Sequence, residues 1–294
     1  MRKPAIVVAV DGTDQSRMAA RWAAHEAERT DRPLLIIHVL DWDWAASRYD
    51  FGGGQFETAR RFAEDITRRA AGEARAAAPK VRVETDVQIG SPVAQLINGS
   101  EYADLLVLGH RGDGGFAGLA LGSVSQRVAA HAHCPVVVAR GRSAAETGPV
   151  AVGVDDADSA DQVLEAAFTA ARDRGTFLVA IRSYLPVIPL YWGANPPATV
   201  HIPEQDDAER ARLTEKLAPW QAKFPDVAVE ALVSHDGAAA VLAGVSRSAQ
   251  LVVVGSRGRG VIAGTVLGST GLQLLHHAQC PVLIVRPYKR GGFR

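Results

Sequence analysis

The sequence is poor in residues on which several protein classes depend. Its 294 residues include only two cysteines, Cys134 and Cys280, too few for a disulfide framework and without metal-ligand spacing. Each precedes a proline and an apolar run, so both are expected to be small buried residues. The five lysines lie outside the glycine-rich loops described below. Their placement argues against a Walker P-loop and its phosphoryl-transfer machinery.

Long apolar runs and an excess of charge are also missing. No apolar stretch approaches the roughly 18 residues that a membrane span needs. The first apolar run, Ile6–Val10, is too short for the hydrophobic part of a secretory signal. The formal net charge is zero, so no overall basic field favours nucleic acid. A cytoplasmic protein without membrane or nucleic-acid partners is therefore expected.

The chain consists of two halves that repeat. Val150–Val154 followed by Asp155 repeats Ile6–Val10 followed by Asp11, and Cys280–Arg286 mirrors Cys134–Arg140. The period of about 145 residues indicates a duplicated domain, since solenoid units are much shorter. Residues 141–149 are small and polar and predict a linker. The predicted domains are residues 1–141 and 149–294.

Apolar strands alternate with helical segments in each half, which predicts parallel sheets with helices on both faces. The third strand, Val81–Ile89, alternates apolar and polar residues and is expected at a sheet edge. The first, second and fourth strands are wholly apolar and are expected inside. The predicted fold class is α/β, with two tandem doubly wound domains that each contain a five-stranded parallel sheet.

Two glycine motifs with identical spacing follow the fourth strand of each half. Gly109, Gly112 and Gly122-Ser123 recur as Gly255, Gly258 and Gly268-Ser269. A strand that leads through glycines into a helix N-terminus makes an anion site, because backbone N–H groups and the helix end face the ligand. A simpler alternative is that these glycines are only turn residues.

An aspartate ends the first strand of each half and is expected to share a crevice with the glycine motif. Ligands in such sheets bind beyond the carboxyl ends of the strands, where the strand order reverses. If the first and fourth strands are neighbours, Asp11 faces the first motif and Asp155 faces the second. Both aspartates can alternatively serve as N-caps of the following helices.

With these features the chain resembles the universal stress protein family in its tandem-domain form. The resemblance rests on the Val-Asp-Gly-Thr-Asp-Gln-Ser opening at 10–16, both glycine motifs and the two Cys-Pro strands. It implies the strand order 3-2-1-4-5 in each half and ATP as ligand, with a divalent ion such as Mg²⁺ bridging the phosphates. The residues that it implies as nucleotide contacts are Asp11, Val39, Gly109, Gly112, Gly122, Ser123 and Val124 in the first half, and Asp155, Ser183, Gly255, Gly258, Gly268, Ser269 and Thr270 in the second.

The second half departs from this pattern. Asp156 replaces the glycine of the opening, and extra carboxylates near a triphosphate oppose its binding. The segment after its second strand is long and proline-rich, with Pro186, Pro203, Tyr191 and Trp192, and is expected to form a loop. The first site is therefore the stronger candidate.

Several histidines are expected to have structural rather than catalytic or metal-binding roles. His110 lies inside the first motif, but no second catalytic group is identifiable near it and Ser256 takes its place in the other half. The histidines before the Cys-Pro strands are expected at solvated helix ends rather than at a metal: His131, His133, His276 and His277. No catalytic or metal-binding residue is predicted.

The sequence thus predicts an ATP-binding stress-response regulatory protein with little or no catalysis. A slow ATP hydrolase or a nucleotidyl-transfer enzyme on the same scaffold is the alternative, and a nucleotide-free interaction module is a further one. The order 3-2-1-4-5 leaves the apolar strands Val136–Ala139 and Val282–Val285 at edges, which need covering. These two strands are expected to pair and join the halves. A homodimer and an unidentified protein partner are also expected.

Overall fold

The computed structural model describes residues 5–42, 54–112, 121–145, 147–186, 203–257 and 267–286, which contain ten strands, eight α-helices and a short 3₁₀ helix at Ser100–Tyr102. The first half contains β1 (Ala5–Ala9), α1 (Asp14–Arg29), β2 (Leu34–Leu40), α2 (Gly54–Ala77), β3 (Val83–Ile89), α3 (Pro92–Gly99), β4 (Ala103–Gly109), α4 (Ser123–His131) and β5 (Val136–Ala139). The second half contains β6 (Val150–Gly153), α5 (Ala160–Asp173), β7 (Leu178–Ser183), α6 (Pro203–Lys223), β8 (Val229–Ser234), α7 (Ala238–Val245), β9 (Leu251–Gly255), α8 (Ser269–His277) and β10 (Val282–Val285).

All ten strands lie in one sheet, in the order β3-β2-β1-β4-β5-β10-β9-β6-β7-β8. Within each half the pairing is parallel and follows the predicted order 3-2-1-4-5. The halves meet where β5 and β10 pair antiparallel, with Leu283 opposite Val137. The fold class and the pairing of the two last strands are thereby confirmed.

Burial along the strands explains this order. Every residue of β5 and β10 is buried, so neither strand would be stable at a solvated edge. β3 and β8 each carry three consecutive exposed residues and lie at the two ends of the sheet. The strands between these two ends have buried residues on both faces of the sheet, which is typical of parallel sheets.

Two apolar cores lie on opposite faces of the sheet. One contains buried residues of α1, α2, α5 and α6, for example Trp22, Ile66, Phe168 and Leu213. The other contains buried residues of α3, α4, α7 and α8, for example Leu96. Each core runs through both halves, because the β5–β10 pair makes the sheet continuous.

Helix α6 differs from the sequence prediction. Pro203, assigned above to a loop, is the first residue of this helix, where its missing N–H costs nothing. The helix is rich in charge and buries only Leu213 and Leu217. This thin apolar stripe explains why the helix was missed. Tyr191 and Trp192 lie outside the described residues.

Candidate functional site

The turn after β1 presents a fixed carboxylate in the first half. Asp11 Oδ1 accepts hydrogen bonds from the backbone N–H of Thr13, at 3.0 Å, and from its hydroxyl, at 2.6 Å. The residue between them, Gly12, has φ of +89°, a left-handed conformation that glycine adopts at little cost. Thr13 itself is the N-cap of α1 and accepts from Ser16 N. The suggestion that Asp11 caps this helix is therefore wrong.

The glycine motif comes close to this carboxylate. A Cβ atom on Gly112 would lie 2.5 Å from Asp11 Oδ2, so a side chain there would force the carboxylate or the loop to shift. A Cβ on Gly109 would lie 3.0 Å from the carbonyl carbon of Gln15, at the start of α1. These approaches follow from the direct pairing of β1 with β4. Both glycines therefore allow close packing, in addition to any role as turn residues.

Helix α4 begins beside the same loop. Gly122 is its N-cap, and the Gly122 N–H donates to His110 O at 2.8 Å. Ser123 and Val124 follow in the first turn, so their N–H groups lie among those that have no acceptor within the helix. Ser125 Oγ donates to Gly109 O at 2.7 Å and ties the helix start to the end of β4. Sequence reasoning missed Ser125, whose counterpart in the second half is Gly271.

Comparison with known proteins gives a consistent result. A family model described as the universal stress protein family matches residues 4–140 and 147–286. The chain is 35% identical over 292 residues to a universal stress protein of Mycobacterium tuberculosis, covering 96% of each protein. It is 36% identical over 293 residues to one of Mycolicibacterium smegmatis, covering 96% of this chain and 97% of the other. The chain belongs to the universal stress protein family.

Solved structures agree on the fold. The crystal structure of a universal stress protein from Archaeoglobus fulgidus superimposes with a TM-score of 0.72 at 20% sequence identity. The match covers 97% of this chain and 99% of that one. Two universal stress protein domains in tandem therefore account for nearly the whole chain.

The second universal stress protein domain aligns with the first at the end of its second strand. Leu34 pairs with Ile6 and Leu178 pairs with Val150, so Ser183 lies in β7 where Val39 lies in β2. The two side chains nevertheless differ in what they contact. Val39 packs against the apolar core, whereas the Ser183 hydroxyl donates to Asp236 O.

The turn after β6 differs more strongly. Asp155 Oδ1 accepts from Ala157 N at 3.1 Å, and the N-cap of α5 is Ser159, so Asp155 is not a helix cap either. Asp31 is the one non-glycine residue with a positive φ in the described part of the chain. Asp156 therefore does not reproduce the left-handed conformation of Gly12, and this turn has another shape.

Asp156 belongs to a network of charges. It contacts Arg182 Nη1 at 3.1 Å and Nη2 at 2.8 Å, and Lys216 Nζ at 3.1 Å. Arg182 Nε also donates to Glu209 at 2.5 Å, and Lys216 Nζ donates to Asp155 O at 2.7 Å. The Arg182 hydrogen bonds hold the pKa of the Asp156 carboxyl well below its usual range. The ion partners of Asp156 come from β7 and α6 and fix this turn.

The second glycine motif is only partly described. Gly255 is the last residue of β9, and a Cβ there would lie 3.1 Å from Arg257 O. Gly268 N–H donates to Ser256 O at 2.8 Å, as Gly122 does to His110. Ser269 and Thr270 form the first turn of α8. Gly258 lies outside the described residues.

His110 and the two cysteines each have a shifted pKa. The pKa of His110 is lowered, mainly by burial and also by the positive charge of the nearby Arg140. The buried His110 Nδ1 has no hydrogen-bond partner among the described residues. No group of three or more His, Cys, Asp or Glu in the described ranges can hold a metal ion. Burial raises the pKa of Cys134 and of Cys280 to about 12, and both thiols are free. In those same ranges no helix is long and apolar enough to cross a membrane.

Proposed function

We propose that the first universal stress protein domain binds an adenine nucleotide, ATP in the first place, and that the protein acts as a cytosolic stress-response regulator. The observation that carries this proposal is the approach of Gly112, in the first glycine motif, to the Asp11 carboxylate. The proposed nucleoside and phosphate site lies between the Asp11 carboxylate on one side and Gly109, Gly112 and the N-terminus of α4 on the other.

The residue types in this crevice fit the proposed ligand. The Asp11 carboxylate is an acceptor of the kind that ribose hydroxyls need, and the hydrogen bonds from Thr13 to its Oδ1 fix its orientation. Glycine at the N-cap of α4 contributes no capping oxygen, so the first-turn N–H groups of Ser123 and Val124 suit a phosphate. Val39, partly buried at the end of β2, offers backbone groups to adenine.

A magnesium ion would be held mainly by the phosphates and water. Mg²⁺ in nucleotide sites is commonly bound through one or two carboxylates together with substrate phosphates. Asp11 would be the carboxylate nearest to such an ion. No group of three or more metal-ligating side chains lies among the described residues.

The second domain is proposed to bind nucleotide more weakly or not at all. Where the first half has Gly12, the second has Asp156, whose negative charge is held by Arg182 and Lys216. A triphosphate would have to compete with these internal ion pairs and with the carboxylates themselves. The expected stoichiometry is one nucleotide per chain.

The output of nucleotide binding is proposed to be a change in conformation or partner affinity, with little or no turnover. The chain is proposed to act as a homodimer and to bind a protein partner. Mass spectrometry of small molecules retained by the purified protein should find adenine nucleotide, and calorimetry should show ATP binding. The absence of both would refute the proposal, and sustained ATP turnover would favour an enzyme instead.

A further inference from the structure

The last strand of each half is followed by an arginine whose side chain contacts the other half. Arg140 follows β5, and its guanidinium donates to three carbonyl oxygens of α8: Leu274 O at 3.1 Å, Leu275 O, and His276 O at 2.8 Å. The side chain is buried, so these contacts are shielded from water. They lie 134 to 136 residues apart in sequence and exist because β5 pairs with β10.

Arg286 makes the reciprocal contact. It follows β10, is half-buried, and donates from Nη1 to Ala129 O at 3.1 Å and to Ala130 O, both in the last turn of α4. Carbonyl oxygens at a helix C-terminus lack partners within the helix and carry partial negative charge. A planar guanidinium with several donors is well suited to hold two or three of them at once.

Helix α4 therefore has its two ends fixed by different halves of the chain. Its N-terminus is tied to β4 of the first half through Gly122 and Ser125. Its C-terminus is held by Arg286 of the second half. The helix has nine residues and is about 13 Å long. Because so short a helix behaves as a rigid body, a shift of its C-terminal end also changes the position or tilt of its N-terminal end.

We infer that Arg286 is a positioning residue that holds α4, and through it the phosphate end of the first-half crevice, so that the second domain completes the site of the first. The inference rests on the proposed function for its ligand. Arg140 holds α8 in the same manner and is the matched control, because its helix begins at the second-half motif.

The test compares Arg286→Gln with Arg140→Gln in the full chain, using ATP calorimetry, thermal unfolding and hydrogen–deuterium exchange without ligand. Arg286→Gln should raise the Kd for ATP about 2- to 30-fold, the range typical of mutations that change coupling between sites. Arg140→Gln leaves the contact of Arg286 with α4 intact and should raise that Kd less, although Arg140 lies near His110. It should lower the unfolding temperature at least as much, because Arg140 is the more buried of the two arginines. Exchange should accelerate in α4 for the first variant and in α8 for the second. Arg286→Lys keeps the charge without the planar fork and replaces the glutamine variant if that one does not fold.

The outcomes separate this inference from the proposed function. Equal changes in Kd for both arginine variants would mean a general loss of stability and would overturn the inference. An Arg286→Gln variant with unchanged Kd and unchanged exchange in α4 would overturn it as well. Faster exchange in α4 without any ATP binding by the wild-type chain would support the positioning of α4 and refute the nucleotide proposal.

Discussion

Replacing Gly112 with alanine tests whether the close approach of the glycine loop to Asp11 matters for binding. The new Cβ would lie 2.5 Å from Asp11 Oδ2, about 1 Å less than a comfortable contact between heavy atoms. The Asp11 side chain cannot rotate away freely. Its Oδ1 accepts hydrogen bonds from Thr13 N at 3.0 Å and from the Thr13 hydroxyl at 2.6 Å, and rotation would stretch both. Either the carboxylate or the loop has to move.

The expected effect is mainly on affinity. Loss of one hydrogen bond from the ligand to a charged group costs about 1.5–3 kcal/mol, which corresponds to a rise in the Kd for ATP of about 10- to 150-fold. Calorimetry measures this change, and circular dichroism checks that the fold is intact. Gly72→Ala is the control, because a Cβ there meets no atom within 4 Å and the residue lies in α2, outside the proposed site. A folded Gly112→Ala variant that binds ATP like the wild type would refute this reasoning.

The remaining predictions concern the second domain and the buried thiols. Asp156→Asn should lower the free energy of unfolding at pH 7 by about 1–2 kcal/mol, at the low end for a charged hydrogen bond because the Asp156 side chain is 21% exposed. Because Arg182 depresses the pKa of Asp156 in the fold, its contribution is complete above the unfolded pKa of about 3.9 and is lost as the pH falls below it. Urea unfolding of both proteins from pH 7 to pH 3 should therefore show a difference that shrinks in acid, and a constant difference would contradict the assignment. Cys134 and Cys280, buried and with pKa raised to about 12, should react with a thiol reagent at pH 8 only after unfolding. Rapid labelling of the native chain would show that these sites open.

Much of the architecture could be predicted from the sequence because it depends on short patterns. The alternation in Val83–Ile89 places β3 at an edge, and the apolar runs place β1, β2 and β4 inside. The need to cover β5 and β10 predicts their pairing. The meeting of Asp11 with Gly112 follows from the order of the strands alone.

The features that were missed depend on contacts between distant residues. The Asp156 network needs Arg182 from β7 and Lys216 from α6, and neither is close to it in sequence. The arginines Arg140 and Arg286 could be seen to mirror each other, but their carbonyl partners belong to the opposite half. Pattern reasoning shows which residues repeat, whereas the three-dimensional arrangement shows what each copy contacts.

The central claim is that the first domain, and not the second, holds the nucleotide. The most direct measurement is calorimetry with ATP on the wild type, Gly122→Glu and Gly268→Glu. Both substitutions place a carboxylate at the N-cap of the phosphate-end helix, where it repels phosphate, and the φ of −77° at Gly122 accepts a side chain. We expect one site per chain, which Gly122→Glu abolishes and Gly268→Glu leaves intact. Two equal sites, or loss of binding in Gly268→Glu alone, would contradict it.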